Sequence, residues 1–450
     1  MANKEHGYWL KSGLINIIQN FTGVLFAVGS FYILVRLLSK HEFGAWTLFM
    51  SYTTILELIR GGLIQSALVK FLSSSVAEEH SKIFTASFII NTVLTILCVI
   101  INLLIGNTLS KLWNAPELTL LLYIYNISFI LTGLQTQFNA VAYANLKYKG
   151  IFYSTFSRQF IFFIFLAVCL LLKIHINLVY LVYVQIVGIL LGTLIAYGYV
   201  TSFLSINFNH CLDWIKKLLN YGKYTFGSSL SSMLSQTMDQ MMLGAMISPV
   251  ASGTYNIAVR ITNLIEIPTS AVAVIVFPQS SKRMETQGKS SVKYLYEKSV
   301  GTILALVIPV VIFLYFFAQY IVRILADAKY DESIPLLKIT LLYCLFVPFG
   351  RQAGTILQSI GKARATFFMV ISTAVMNLGL NFIFIFYFGL IGAAYATLLS
   401  SFIGFVISQI YLKRILDVNL LNCLLYAFKF YPELYDKYVK GFSWRGRTTR

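Results

Sequence analysis

The sequence has little charge. Only 12% of its 450 residues are Asp, Glu, Lys or Arg, whereas 58% are hydrophobic. Water-soluble globular domains carry about a quarter of their residues as charges, so this composition excludes a protein of that class. The apolar residues recur instead in runs of about 20, the length that a helix needs to cross a bilayer.

Cysteine and histidine are also scarce, with five of each. The cysteines are scattered and predict neither a disulfide framework nor a metal site. All five histidines fall outside the predicted spans, which does not favour a buried histidine proton relay. Met1–Lys11 is polar and the apolar run after it is too long for the core of a signal peptide, so we expect no cleavable signal.

Acidic residues are half as frequent as basic ones, 17 against 35, and the net charge is +18. Such a charge is compatible with a nucleic-acid partner, but its distribution argues against one. Much of it lies in loops between apolar runs and in the C-terminal tail, where anionic cytoplasmic lipid accounts for it.

Twelve apolar runs predict an all-α polytopic membrane protein. An internal repeat divides them, because Gly13 and Gly44 are 31 residues apart, as are Gly222 and Gly253. We therefore predict two six-helix bundles related by pseudo-two-fold symmetry, residues 1–210 and 211–413, followed by a basic tail, 414–450, with a short interfacial helix at Leu420–Phe430. The predicted spans are 12–37, 43–67, 84–106, 117–144, 153–173, 176–200, 221–247, 252–280, 298–322, 334–358, 365–388 and 391–412.

The connections between spans predict the orientation. The connections on one side of the membrane hold 17 Lys and Arg residues when the C-terminal tail is left out of the count, and those on the other side hold 7. The positive-inside rule then places both termini in the cytoplasm. External connections are short, the longest being about Arg323–Ser333, so the sequence leaves no room for an external catalytic domain.

Ionisable groups inside the spans are rare. Each costs roughly 2.5–3.5 kcal/mol at the membrane centre, so such residues usually face a cavity or a partner. Arg260 and Arg351 have no carboxylate three or four residues away, which predicts a cationic cavity; the alternative is pairing with a distant helix. Arg60 follows Glu57 by three residues, and an ion pair along one helix face is the alternative there. An arginine grips phosphate with two parallel hydrogen bonds, so Arg60, Arg260 and Arg351 predict an anionic cargo.

A second group of intramembrane residues is rich in oxygen. Asn377 and Asn381 are four residues apart, as are Ala393 and Thr397, and Asp239 lies midway along the seventh span. One carboxylate, two amide oxygens, a hydroxyl and the backbone carbonyl of Ala393 would suit a hard cation such as sodium. Hydrogen bonding to neighbouring helices is the alternative for these residues.

Several segments carry recognisable motifs. They are RLLSKHEFGAW from Arg36, DQMMLGAMISPVASGTYNIAVR from Asp239, LQSIGKARA from Leu357, NLGLNFIF from Asn377 and FGLIGAAYATLLS from Phe388. Together these segments resemble the polysaccharide-biosynthesis flippases of the multidrug/oligosaccharidyl-lipid/polysaccharide exporter superfamily, and the resemblance covers about residues 9–413.

The resemblance implies two bundles around a central cavity and transport by alternating access. The implied cargo is an undecaprenyl-diphosphate-linked oligosaccharide, moved to the outer leaflet of the bacterial cytoplasmic (inner) membrane for lipopolysaccharide O-antigen, capsule or exopolysaccharide synthesis. A polysaccharide polymerase and a chain-length regulator are the implied protein partners, and membrane lipids surround the protein. No cofactor is implied beyond coupling to sodium or protons.

The resemblance also implies roles for particular residues. Arg260 matches a cavity arginine of the superfamily's lipid II flippases. The positions that match their sodium site are Asp239, Asn377, Asn381, Ala393 and Thr397. Asn381 departs from that pattern because the flippases carry a carboxylate there, which leaves an ion less well balanced. Arg60 and Arg351 have no assigned counterpart in those flippases, and their predicted role depends only on their position within apolar spans.

Other functions remain open at this stage. A cation-coupled multidrug exporter of the same fold is the first, although it calls for an acidic cavity. A membrane polysaccharide polymerase or glycosyltransferase is the second, and it should carry a long external catalytic loop. A non-transporting membrane scaffold is the third, and it leaves the buried arginines without a purpose.

Overall fold

Backbone groups cannot be left unpaired in lipid, so the apolar runs form helices, which satisfy their own hydrogen bonds. The structure, a computed structural model, describes residues 2–208 and 211–436. Within them lie the helices α1 (Ala2–Leu37), α2 (Lys40–Gly61), α3 (Gln65–Ser74), α4 (Ala77–Leu112), α5 (Glu117–Ala144), α6 (Tyr148–Leu171), α7 (Leu178–Val200), α8 (Cys211–Met246), α9 (Pro249–Ile265), α10 (Ile267–Gln287), α11 (Lys289–Phe316), α12 (Ala318–Ala326), α13 (Ser333–Tyr343), α14 (Val347–Ser359), α15 (Ala363–Phe388), α16 (Leu390–Leu416) and α17 (Leu420–Tyr435).

The predicted fold class, an all-α multi-pass membrane protein, is confirmed. Each of the twelve predicted spans coincides with one helix or with a pair of consecutive helices. Among the described residues, seven helices are long and apolar enough to cross a bilayer, namely α4, α5, α6, α7, α11, α15 and α16. The count rises to nine when two bent pairs, α9 with α10 and α13 with α14, are each taken as one span.

Two compact units divide the chain, residues 1–253 and 254–450. The boundary lies within α9, whereas the sequence predicts a boundary at residue 210, so α8 groups with the first unit in this conformation. Trp214 and Leu218 of α8 are buried in the core of that unit beside α3, α4 and α5. The division into two six-helix bundles stays a prediction.

Helix α2 and the start of α9 approach each other within the first unit at two glycines. A Cβ atom added to Gly44 would collide with the backbone carbonyl of Pro249. One added to Gly253 would lie 2.9 Å from the Cα atom of Gly44. These glycines occupy equivalent places in the sequence repeat. Glycine at these two positions therefore has a packing reason, because only glycine leaves room for the two backbones to touch.

The core of the second unit lies among α10, α11, α14, α16 and α17. Two of its spans are broken: α9 and α10 meet at a bend of 41°, and α13 and α14 at a bend of 42°. Pro268 and Pro348 stand in the first turns of α10 and α14. Because proline cannot donate the backbone hydrogen bond that continues a helix, each helix restarts there in a new direction.

The predicted interfacial helix corresponds to α17, which is longer than expected and packs against α11. Tyr431 donates a hydrogen bond to the carbonyl of Ala305 at 2.5 Å, and Asn422 donates to the buried carboxylate of Glu297 at 2.9 Å. Its position at the membrane surface stays a prediction, and the basic end of the tail, residues 437–450, lies outside the described residues.

We predict that Gly44→Ala lowers the stability of the purified protein by about 1–3 kcal/mol, because the new methyl group meets backbone that cannot move aside. The apparent unfolding midpoint in detergent measures this effect. Gly379→Ala is the control, since a Cβ added there on α15 lies within 4 Å of no described atom apart from the neighbouring backbone of its own helix. Equal midpoints for the two variants would contradict the close contact.

Candidate functional site

Arg260 lies on α9 in the second unit and is exposed, although the sequence around it is apolar. Its Nε atom donates a hydrogen bond to Oδ1 of Asn256, one turn earlier, at 3.0 Å. This bond orients the side chain, and the exposed guanidinium can contact a ligand. The role of Arg260 in a cationic cavity stays a prediction.

Arg351 lies on α14 and its side chain is 44% exposed. The exposed face of this helix also carries Gly350 and Gln358, and α14 exposes no large apolar side chain. The neighbouring α15 behaves differently, since its exposed residues include Phe368 and Phe382. Lipid favours the apolar face of α15, and water favours the polar face of α14. Arg351 therefore lies on a polar helix face, and the cavity around it stays a prediction.

A carboxylate approaches Arg351 from another span. Glu266, in the break between α9 and α10, has its Oε2 atom 3.7 Å from Nη2 of Arg351. This distance is long for a charge-assisted hydrogen bond, which usually spans about 2.7–2.9 Å. The sequence alternative of pairing with a distant helix is thus realised, but only loosely.

Arg323 and Asp331, in the same unit, show what a clamped pair looks like. The Nη2 and Nε atoms of Arg323 reach the Asp331 carboxylate at 2.6 and 3.1 Å. Hydrogen bonding from Arg323 lowers the pKa of Asp331 below its ordinary value. Compared with this bidentate pair, the guanidinium of Arg351 retains most of its donors for another anion.

Arg60 differs from the other two arginines because it is only 2% exposed. Its Nη1 atom donates to the carbonyl of Phe129 and to the hydroxyl of Thr132, the latter at 2.8 Å. Glu57 instead accepts a hydrogen bond from Tyr125 at 2.9 Å, so the expected Glu57–Arg60 pairing is replaced by separate contacts with α5. Arg60 is buried in this conformation, and its substrate-binding role stays a prediction.

The amides of α15 and the hydroxyls of α16 come together in the second unit. Asn377 donates to Ser400 at 3.0 Å, and Asn381 donates to the side-chain oxygen of Asn377 at 3.1 Å. Thr397 shares a hydrogen bond of 3.1 Å with Tyr255 of α9. The sequence prediction that Asn377, Asn381 and Thr397 belong to one polar region agrees with this arrangement.

This cluster alone does not fit a bare sodium ion. Its oxygens are neutral and several already accept hydrogen bonds from one another. Ala393 lies within regular α16, where its carbonyl serves the helix rather than a ligand. The charge predicted to complete the site belongs to Asp239, which is buried on α8 and grouped with the first unit. The sodium site therefore stays a prediction, and no transport step is derived from it.

An apolar groove of about 620 Å³ opens on the second unit, apart from the arginines. It has no charged group that could hold phosphate. Its lining consists of Leu342, Leu345, Phe346, Phe384, Phe388, Tyr395, Leu398, Leu399 and Phe402.

Sequence reasoning missed several partners of the predicted residues. Asn256 is four residues before Arg260, and that spacing alone could have identified it as a neighbour on one helix face. Glu266 stands out in the sequence as an intramembrane carboxylate, but nothing local indicates its approach to Arg351. Tyr255 and Ser400 lie within the motifs quoted from Asp239 and Phe388, but nothing local indicates which residues they contact.

Comparison of the fold defines a class of protein. The structure superposes on the lipid II flippase MurJ in an inward closed conformation with a TM-score of 0.75, at 16% identity, covering 95% of this chain and 92% of that one. An inward-facing multidrug resistance transporter of the MATE family gives the same score and identity, covering 87% and 94%. The helices thus adopt the fold that these two transporters share.

The sequence then specifies the family. The chain belongs to the polysaccharide biosynthesis protein family, whose profile matches residues 33–335. A probable low-salt glycan biosynthesis flippase of Haloferax volcanii is 29% identical over 208 residues, 45% of this chain and 43% of that protein. The chain matches less than half the length of the curated relatives that it resembles. The family resemblance read from the motifs is confirmed.

We predict that Arg60→Ala destabilises the protein by about 3 kcal/mol, because it empties a buried volume and removes two hydrogen bonds to α5. Arg260→Ala should cost much less, since its side chain is exposed. Thermal unfolding midpoints of the two variants in the same detergent measure the difference. A smaller shift for Arg60→Ala than for Arg260→Ala would show that the buried contacts do not stabilise the fold.

Proposed function

We propose that this protein is a flippase that moves an undecaprenyl-diphosphate-linked oligosaccharide from the inner to the outer leaflet of a bacterial cytoplasmic membrane. The product serves O-antigen, capsule or exopolysaccharide synthesis. Family membership, the flippase relative and the transporter fold support the general activity. The observation that carries the choice of cargo is the presence of two exposed arginines, Arg260 and Arg351, within membrane-spanning helices.

The arginines favour an anionic head group for a physical reason. A guanidinium keeps its proton and presents paired N–H donors that match the oxygens of a phosphate. Held in a water-lined cavity of a low-dielectric membrane, the same charges repel cationic drugs and attract a diphosphate. This balance disfavours the multidrug-exporter alternative.

We infer alternating access as the mechanism. In the inward-facing state, Arg260 and Arg351 receive the diphosphate from the cytoplasmic leaflet. The polyprenyl tail remains in lipid, so only the polar head requires a hydrated path. The breaks at α9–α10 and α13–α14 supply bends at which these spans can change direction between states. Both termini lie in the cytoplasm, as the distribution of Lys and Arg predicts.

The expected partners follow from the chemistry of the product. A lipid-linked repeat unit delivered to the outer leaflet must be joined to others, so a polysaccharide polymerase and a chain-length regulator act next. The proposal involves neither a nucleic acid nor a covalent step by this protein. Membrane lipid contacts its apolar surface throughout the cycle.

We predict that Arg260→Gln lowers the rate of head-group transfer in proteoliposomes at least tenfold, because one good charge-assisted contact to phosphate contributes about 1.5–3 kcal/mol. Arg323→Gln is the matched control, since it removes an arginine that is clamped to Asp331 outside the predicted cavity. Unchanged transfer by Arg260→Gln would remove Arg260 from the site.

Cation coupling requires its own test. We predict that Asp239→Asn abolishes the dependence of transfer on an inward sodium or proton gradient, because Asp239 supplies the only formal negative charge of the predicted five-residue site. Transfer by wild type and variant is compared with and without each gradient. Gradient dependence that persists in Asp239→Asn would exclude this carboxylate from coupling.

A further inference from the structure

The breaks of two spans meet at one charged cluster in the second unit. Glu266 occupies the break between α9 and α10. Tyr343 ends α13, and Arg351 lies one turn into α14 on the other side of the second break. Gln352 connects the two spans by donating to the carbonyl of Thr269 at 3.2 Å. A change of either bend will therefore alter the separation of Glu266 and Arg351.

The contacts within the cluster are loose. Oε2 of Glu266 lies 3.7 Å from Arg351, and Tyr343 donates to Oε1 at 3.3 Å. Within the described part of the chain, the Arg351 guanidinium has no other ion pair and donates no shorter hydrogen bond. Glu266 is 21% exposed and Arg351 is 44% exposed, so the arginine is the more accessible member of the pair.

Every titratable group around Glu266 can be named. Arg351 faces it from α14, Tyr343 faces it from the end of α13, and the buried Cys344 follows Tyr343 in the break. Cys344 directs its thiol to the carbonyl of Thr340 and not to the carboxylate. Arg351 is thus the one cation among the described residues that balances the charge of Glu266.

We propose that Glu266 is an internal competitor for Arg351. The Glu266 carboxylate pairs with the Arg351 guanidinium when the site is empty, and a diphosphate displaces this carboxylate on binding. This inference rests on the proposed function and adds a positioning residue to it. Glu266 touches Arg351 rather than the cargo, and it acts by controlling the availability of that arginine.

When the diphosphate replaces Glu266 as the partner of Arg351, Glu266 takes up a proton. Once Arg351 turns to the diphosphate, Glu266 is left partly buried without its cation, and the neutral acid becomes the favoured form. One proton from water binds a carboxylate oxygen, and the Arg351 N–H groups move from carboxylate to phosphate. On release the proton leaves, Glu266 pairs with Arg351 again, and the restored pair opposes rebinding of the cargo.

The test is binding of inorganic pyrophosphate to the purified full-length protein, measured by titration calorimetry at several values between about pH 5 and 8. Relative to Glu266→Gln, the wild-type affinity should fall as pH rises, because the ionised Glu266 competes more strongly. Glu266→Gln cannot ionise, so it should bind roughly fivefold more tightly at neutral pH. The ratio of the two affinities should grow with pH, towards tenfold per pH unit for one full proton.

Using the same probe for both proteins cancels the titration of pyrophosphate itself. Asp331→Asn is the matched control, because it neutralises the carboxylate of the clamped Arg323 pair in the same unit and should bind like wild type. Should Glu266→Gln fail to fold, Tyr343→Phe replaces it. That variant removes one donor to the carboxylate and should move the pH dependence of binding to higher pH.

The outcomes separate this inference from the proposed function. Absence of pyrophosphate binding by wild type would count against both. Binding that Arg351→Gln weakens, but whose pH dependence is the same in wild type and Glu266→Gln, would overturn the competitor role alone. An unchanged pH profile in Tyr343→Phe would overturn it in the same way.

Discussion

Placing a guanidinium inside a membrane-spanning helix is costly, and the arrangement of this protein follows from how that cost is offset. Arg60 is buried against α5, and its Nη1 atom donates hydrogen bonds to the carbonyl of Phe129 and the hydroxyl of Thr132. Arg260 and Arg351 remain exposed on helices that offer polar neighbours. Lipid solvates a guanidinium poorly, so the enclosed arginine finds its partners on a neighbouring helix, and the role we propose for the exposed pair is to bind an anion in a hydrated cavity.

Two broken helices supply polar partners for a charged residue inside the membrane. Where α9 passes into α10 and α13 into α14, the bends bring side chains of different spans together near Arg351. If each span were one continuous helix, Glu266 and Tyr343 would lie on the side of a straight helix and not at a bend. Irregular backbone in a membrane is tolerated where protein or a cavity surrounds it, so the breaks mark a region of polar contact rather than a weakness.

Local pattern sufficed for the helices and the fold class, because apolar length alone determines what can span a bilayer. It also predicted that Asn377 and Asn381, four residues apart, lie on one helix face, and the two share a hydrogen bond. It gave no sign that Arg60 is buried, because the contacts of Arg60 depend on α5, where Phe129 is 69 residues away in sequence. The proximity of Glu266 to Arg351 was equally hidden, since it depends on two bends whose angles no local pattern specifies.

The contact between Gly44 and Gly253 limits how α2 can rearrange. Residues four positions away on the same face of α2, such as Lys40 and Leu48, have side chains, so sliding α2 lengthwise by about one turn would drive a carbon atom into the peptide that begins α9. The glycines therefore act as a latch against axial slippage.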